Sequence, residues 1–273
     1  MNDKGEVAIQ SVSISLDRGI TDLVIHTGAD WHVGDMFCRE KEIDQMLREV
    51  QTHDNHYLIL DGDLANNATK SSVSDGYAEK LTPQQQLERI EQKLEPVKDK
   101  ILLWVPGNHE YRTYKESGID ISKVAAMQLG ILDRYCATGG LLFLRFGQET
   151  KGRPESNGSG KVRQICYTIY ANHGSGGGRK EGAKAVRLAD MASIVDADIY
   201  IHAHTHLPMI MKEAFYRTDA RNSTYAKVDK LFVNTASSLD YRGYGEMYEF
   251  KPSSRTSPVL SLSGTHKEFN ATL

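Results

Sequence analysis

Short apolar runs, each ending in a polar cluster and followed by residues at helical spacing, organise the first two thirds of the chain. Leu23–Ile25 reads as a buried strand opening into His26-Thr27-Gly28-Ala29-Asp30. Ile43, Met46, Leu47 and Val50 then recur at the three- and four-residue intervals of one helix face. Tyr57–Leu60 is a second strand, stopping at Asp61-Gly62-Asp63. Thr82-Pro83 supplies a cap and a first-turn proline for a helix with Leu87, Ile90 and Leu94 on one side, and Pro96 ends it. Ile101–Val105 is a third strand, closed by Pro106-Gly107.

The last third is richer in strands. Candidates are Leu141–Phe146, Ile165–Tyr170, Ile199–His202, Met209–Lys212, Leu231–Val233, Met247–Phe250 and Val259–Leu262, with one helix around Val186–Val195. A change from alternating to strand-rich predicts two packed sheets with helices outside, an α/β arrangement bordering on α+β. With no internal repeat or long linker, residues 1–273 are expected to form one domain. The first 20 residues carry Val7, Ile9, Val12 and Ile14 as a possible added edge strand, and Gly147–Lys161 is polar enough to be a mobile surface loop.

Composition narrows the classes without choosing among them. Apolar residues make up 40% of the 273 positions, enough for a sizeable core, and charged residues make up 25%. A net charge of -3 supplies no overall attraction to nucleic acid or acidic membranes, although a local basic rim is compatible with it. No apolar run reaches the roughly 18 to 20 residues of a membrane span, and the first residues lack the apolar core of a secretion signal. Cys38, Cys136 and Cys166 are few, odd in number and far apart, which suits reduced thiols in a cytoplasmic protein.

Five polar blocks follow predicted strands: Asp30-Trp31-His32, Gly62-Asp63, Gly107-Asn108-His109-Glu110, Asn172-His173-Gly174 and His204-Thr205-His206. Each alone has a dull explanation as a turn, a cap or a structural histidine. Five in order at strand ends point to one site, because ligands of open α/β sheets gather beyond the carboxyl ends of the strands. Imidazole and carboxylate without thiolate suit Mn, Fe, Zn or similar ions and argue against a structural zinc. Two cations about 3.5 to 4 Å apart need an anionic bridge and can activate a bridging hydroxide for in-line attack on phosphorus.

This ordered set resembles the signature of the calcineurin-like metallophosphoesterases, over residues 30–206. The resemblance implies a four-layer α/β/β/α sandwich of two mixed β-sheets flanked by helices. It also implies two divalent ions, Mn²⁺ foremost, with Fe, Zn, Ni and Mg as alternatives. Asp30, His32 and His206 would hold one ion and Asn108, His173 and His204 the other, with Asp63 bridging. His109 matches the histidine that contacts the phosphate and assists the leaving group.

The departures refine the expectation. Ala203 stands where the family has glycine, tolerable unless the backbone there needs positive φ. Asn66 and Asn67 replace the Asp-Arg pair of phosphoprotein phosphatases, and Gly-Asp-Leu with His-Thr-His-x-Pro is closer to the phosphodiesterase and nuclease branches. Residues 66–70 and 110–115 look similar to stretches of phage-encoded members. Arg112, Lys70 and Lys115 follow the blocks on what read as loops and are candidates for gripping a phosphate, against ordinary surface charge. Tyr111 and Tyr114 either stack on a base or pack inside. His202 would share the His204 face if the strand continued, and Asp61 and Glu110 either orient ligands or serve as turn residues. The substrate expected is a phosphoester, foremost a phosphodiester of nucleotide or nucleic-acid type. A nuclease acting on single strands or ends stays open, as does a catalytically silent protein-binding scaffold.

Overall fold

The computed structural model describes residues 9–17, 19–70, 72, 79–147, 165–176, 178, 180–242, 244–247, 249 and 251–273. In chain order it contains β1 (Gln10–Ser15), β2 (Asp22–Gly28), α1 (Glu40–Thr52), β3 (His56–Asp61), α2 (Pro83–Leu94), β4 (Ile101–Val105), α3 (Asn108–Ser117) and α4 (Ile121–Gln128). There follow β5 (Gly140–Phe146), β6 (Ile165–Asn172), α5 (Glu181–Asp190), β7 (Ile199–His202), the hairpin β8 (Met209–Asp219) and β9 (Thr224–Asn234), the single turn α6 (Tyr244–Met247), and the hairpin β10 (Val259–Ser263) and β11 (Phe269–Thr272).

The strands form two mixed sheets, one in the order β1-β5-β6-β7-β9-β8 and the other β11-β10-β2-β3-β4. In the second, β2, β3 and β4 are parallel, with Gly28 opposite Leu60 and Asp61 opposite Val105. In the first, β6, β7 and β9 are parallel, with Asn172, His202 and Asn234 in register. Register therefore brings the carboxyl ends of three neighbouring strands level in each sheet, which is where the five blocks begin.

Alternation sorts the side chains into layers. Ile25, Ile59, Leu103 and Leu260 from one sheet meet Leu142, Ile169, Ile201 and Val233 from the other, all buried, and form the core between the sheets. The outer face of the β2–β3–β4 region, with Leu58, Leu60 and Trp104, packs on Ile43 and Leu47 of α1, Ile90 and Leu94 of α2 and Ala125 of α4. Tyr170, Tyr200 and Phe232 on the far side of the other sheet pack on Leu188 of α5. Strands covered on both faces are expected to be continuously apolar, as Ile101–Val105 is. Thr82 caps α2 through a reciprocal box with Gln85, an arrangement worth about 1 kcal/mol.

Some expectations change. Met247 ends the short helix α6 and is largely exposed, so the strand predicted for Met247–Phe250 does not form there. Residues 248 and 250 of that run lie outside those described. The Met209–Lys212 and Leu231–Val233 runs are only the inner ends of a hairpin, half-buried on β8 and buried on β9, whose outer halves are largely exposed. The helix sought around Val186–Val195 begins earlier, at Glu181, and its α-helical part stops at Asp190. Residues 148–161 of the predicted surface loop lie outside the described residues. Among those described, no helix is long and apolar enough to cross a membrane, and the three cysteines are free.

His26 is buried on the outer face of β2, its Nε2 3.0 Å from Nδ1 of His56, whose ring stacks on that of His53. Burial first, and then the neighbouring His56, push the His26 pKa down to about 4. Between pH 6.5, where the residue ordinarily titrates, and about 4, the unfolded chain takes up a proton that the folded chain refuses. Stability is thus lost as pH falls through that window. In urea titrations, the His26→Gln variant should lose less stability than the wild type between pH 7 and pH 4.5. Equal losses would show that His26 titrates normally in the fold.

Candidate metal centre

The loops that leave β2, β3, β4, β6 and β7 converge at the seam between the sheets. Asp30, His32, Asp63, His204 and His206 all have left-handed backbone, with φ of 50°, 52°, 52°, 62° and 54°. Such conformations cost of order 1–3 kcal/mol each for residues other than glycine, and they cluster at functional sites. The loops are tied together by backbone bonds: Asp30 N–H donates to Gly62 O, His32 N–H to Asp63 O and Val33 N–H to Leu64 O, at 3.0, 3.0 and 2.8 Å. Glu110 completes the lattice. Its buried carboxylate accepts the N–H groups of Asp63 (3.0 Å), Ala65 (2.9 Å) and Gly107 (2.9 Å), joining the second block to the third. Glu110 therefore braces the loops of the second and third blocks and is no simple turn residue.

Both aspartates divide their oxygens between structure and pocket. Asp30 Oδ2 accepts from His204 N–H (3.1 Å) and Thr235 Oγ1 (3.3 Å), while Oδ1 faces His206 Nε2 at 3.2 Å. Asp63 Oδ1 accepts from His109 N–H at 2.8 Å, and Oδ2 faces His173 Nε2 at 3.1 Å and His109 Nε2 at 3.7 Å. Two His/Asp groups with no residue in common result, Asp30–His32–His206 and Asp63–His173–His204, each with its candidate ligand atoms mutually within 4.8 Å. His32, Asp63 and His109 make a third such group between them. Asn108 opens α3 beside them.

The donors fit cations better than they fit one another. Asp30 Oδ1, Asn108 Oδ1 and His173 Nε2 are buried and form no hydrogen bond of acceptable geometry. Unsatisfied groups of this kind are rare in native interiors and call for an explanation such as an ion. Burial alone would raise both aspartates. The surrounding histidines outweigh it, holding Asp30 below and Asp63 well below the ordinary carboxylate range. Burial drives His32 well down and His204 down to about 4, leaving neutral rings able to ligate. His173 goes the other way: burial opposes its charge, but Asp63 and Asp30 raise it well above 6.5, so cation binding there would release a proton.

The glycines show why the blocks are spelled as they are. A Cβ on Gly107 would strike the Asp63 carboxylate, and one on Gly62, which has φ +79°, would meet Gly107 and the His173 ring. Ala203 is buried and does not lie in the positive-φ region, so the substitution of the family glycine is accommodated.

His202 does not share the direction of His204. The strand ends at His202, and the left-handed turn at His204 re-aims the chain. His202 Nδ1 instead pairs with Asn234 Oδ1 at 2.8 Å, and Asn234 Nδ2 donates to Thr205 Oγ1 (2.9 Å) and Leu207 O (2.7 Å), bracing the His204–His206 loop. The close approach permitted by Gly174 is to the His202 ring. The Asp61 side chain has both oxygens buried without hydrogen-bond partners and is pushed up to about 8 by burial, while its backbone carbonyl accepts His173 Nδ1–H at 2.6 Å.

At the rim, His109 Nδ1–H donates to Asn66 O at 2.6 Å, and its Nε2 lies 2.9 Å from Arg112 Nη2. Arg112 also donates to Asn66 O at 3.2 Å. Lys70 and Lys115 are exposed; Lys115 lies over the Tyr111 ring, 5.2 Å from its centroid. Tyr111 and Tyr114 are not packed inside, being 50% and 47% exposed, and they stack on each other. Thr235, Ser237 and Asn234, which hold Asp30 and the His204 loop, were not anticipated from sequence. Their one signal is a polar run directly after the apolar Leu231–Val233.

A two-sheet α/β sandwich with histidines and aspartates pooled at its seam defines a class of hydrolase that works on phosphoesters. The chain matches the model of the calcineurin-like phosphoesterases over residues 29–208 and belongs to that family. Similar solved structures include a conserved uncharacterized protein, a predicted phosphoesterase, from Streptococcus pneumoniae (14% identity, 93% of this chain and 99% of that chain, TM-score 0.36). A single mutant of Vps29 from Entamoeba histolytica is also similar (12% identity, 92% and 98%, TM-score 0.34). No curated protein matches the chain.

Gly107→Ala tests whether the cradle is built for cations. Its added methyl should displace Asp63 and weaken metal binding about 10- to 100-fold, as disruption of supporting contacts does elsewhere, with the circular dichroism spectrum unchanged. Undiminished metal content in the purified variant would contradict this.

Proposed function

We propose that the protein hydrolyses phosphodiesters, foremost of nucleotide or nucleic-acid type, with two divalent cations held at the seam. Asp30, His32 and His206 would hold one cation and Asn108, His173 and His204 the other, with Asp63 between them. When bound, such a pair supplies charge to the phosphoryl oxygens and a water deprotonated near neutral pH. The observation that carries this reading is the convergence of the two His/Asp groups beside His109 and Arg112.

The Asn66 carbonyl holds the His109 Nδ1 proton, so Nε2 is the atom that faces the pocket. Arg112 has its guanidinium against that Nε2. Moving the guanidinium onto a phosphate oxygen would leave Nε2 free to take a proton from solvent and pass it, as the imidazolium, to the leaving oxygen. A diester is favoured over a phosphoprotein because the residues in place of the Asp-Arg pair are neutral and turned inward. Asn66 Nδ2 donates to Glu79 at 3.0 Å and Asn67 Nδ2 to His109 O at 2.6 Å. The guanidinium at hand suits the single negative charge of a diester. Mn²⁺ is the ion we favour, on the nitrogen-and-oxygen character of the donors.

Hydrolysis of a generic aryl phosphodiester should appear on adding Mn²⁺. Inactivity there and against aryl monoesters, nucleotides and DNA would overturn the catalytic reading. His109→Ala should lower turnover by about 10²- to 10⁴-fold, the usual contribution of a proton-transferring side chain, with metal content retained. Asp63→Ala should abolish metal binding, as read by elemental analysis. Loss of metal in the His109 variant as well would make that histidine a ligand.

A further inference from the structure

α3 carries more than Asn108, His109, Glu110 and Arg112, the residues already assigned to the site. Asn108, Tyr111, Arg112 and Lys115 are spaced i, i+3, i+4 and i+7, which places them along one stripe of this helix. The stripe begins at Asn108, whose buried Oδ1 lacks a partner, passes Arg112 against His109, and ends about 10 Å along the axis at Lys115. It thus leads from the candidate metal ligands, past the leaving-group side, to open surface. Tyr111 and Tyr114 are each about half exposed, their rings stacked with centroids 5.3 Å apart and planes 19° from parallel. Two large aromatic rings left in water on the helix that carries Asn108, His109 and Arg112, interleaved with a guanidinium and an ammonium, make a poor packing surface. They match a ligand that has a flat ring joined to phosphate.

We infer that the exposed face of α3 is a nucleobase platform: Tyr111, backed by Tyr114, stacks on the base of the substrate's leaving-group nucleoside, and Lys115 pairs with the phosphate side of the same ligand. This rests on the phosphodiesterase reading above and adds its specificity element. Stacking suits a base of any sequence, because each base has a π-face. Lys115 over Tyr111 makes an exposed cation–π contact, one of the weak kind, which a base can displace while releasing the ammonium toward phosphate. Stacking on Tyr114 holds the Tyr111 ring in place and limits the rotamer freedom lost on binding.

The test uses the Mn²⁺-loaded full-length protein and two dinucleoside monophosphates, one intact and one with a tetrahydrofuran replacing the leaving-group base. The wild type should prefer the intact diester in kcat/KM. Tyr111→Ala should remove about tenfold of that preference, mainly through KM, and leave the abasic diester unchanged; Tyr111→Phe should behave as wild type. Equal losses on both substrates, or no preference in the wild type, would overturn the platform. A second readout needs no turnover: 2-aminopurine at the leaving-group position should be quenched on binding to wild type and not to Tyr111→Ala. Quenching without hydrolysis of any phosphoester would sink the hydrolase reading and keep the platform. Hydrolysis without quenching would do the reverse. Quenching of longer oligonucleotides and not of the dinucleotide would place the platform beyond the leaving nucleoside and overturn the assignment as stated.

Discussion

Two buried carboxylates set the terms for the rest of this structure. Asp30 and Asp63 are withdrawn from water at the seam of the sheets, each held low by imidazoles crowded around its free oxygen. Burying a charge is costly unless it is paired and hydrogen-bonded, and a half-compensated cluster is worse than an apolar one. The fold answers by dividing the labour within each carboxylate. One oxygen is committed to backbone N–H donors, and the other is left to face the histidine nitrogens of the pocket. That division lets the same residues brace the loops and offer a vacant donor atom inward.

The geometry needed for this is strained, and the strain is local. Five of the seven ligand-type residues adopt a left-handed backbone that asparagine or glycine would take more readily. They can stay there because their amides and carbonyls are fixed from outside. The loop after β2 is laced to the loop after β3, and Glu110 clasps three amides at once. Burial and the nearby Asp63 push Glu110 up to about 7, so its charge is contested, but its three N–H donors favour the ionised form. Position alone explains the spelling Gly-Asn-His-Glu: the glycine clears Asp63, and the glutamate reaches back to the glycine's own amide.

Much of this was legible in the sequence, for a definite reason. Strands covered on both faces are apolar along their runs, as in Ile101–Val105 and Ile199–Ile201, and their ends are marked by abrupt polarity. What failed to show had weak or misleading patterning. α3 buries a single residue, Glu110, so it has no apolar stripe to betray it. The outer half of the β8–β9 hairpin is largely exposed and mixes Glu213, Arg217 and Asp219 with Phe215 and Tyr216, so its pattern does not stand out as a strand. Met247 reads as strand because alternation needs only neighbours in sequence, whereas a strand needs a partner in space. His202 was ambiguous for the same cause: a His-x-His-x-His run looks like one face of a strand until a left-handed residue interrupts it. The supporting residues Thr235 and Ser237 are ordinary hydroxyls, and only the register of β9 beside β7 makes them part of the site.

The placement of the ligand-type residues also couples the site to the fold. Asp30, His32, Asp63 and Asn108 follow strands of one sheet, whereas His173, His204 and His206 follow strands of the other. Each of the proposed ligand sets therefore draws on both sheets, and a cation bound there would clip them together at the edge of their shared core. Since the unfolded chain has no such convergence, binding free energy there is folding free energy as well. The pocket can keep its repulsive, partly unsatisfied arrangement because the apolar layer behind it, from Ile25 and Ile59 to Ile169 and Ile201, holds the sheets in register independently. Burial of that layer supplies the rigidity, and the strained loops spend part of it on holding donor atoms apart at the spacing that cations require.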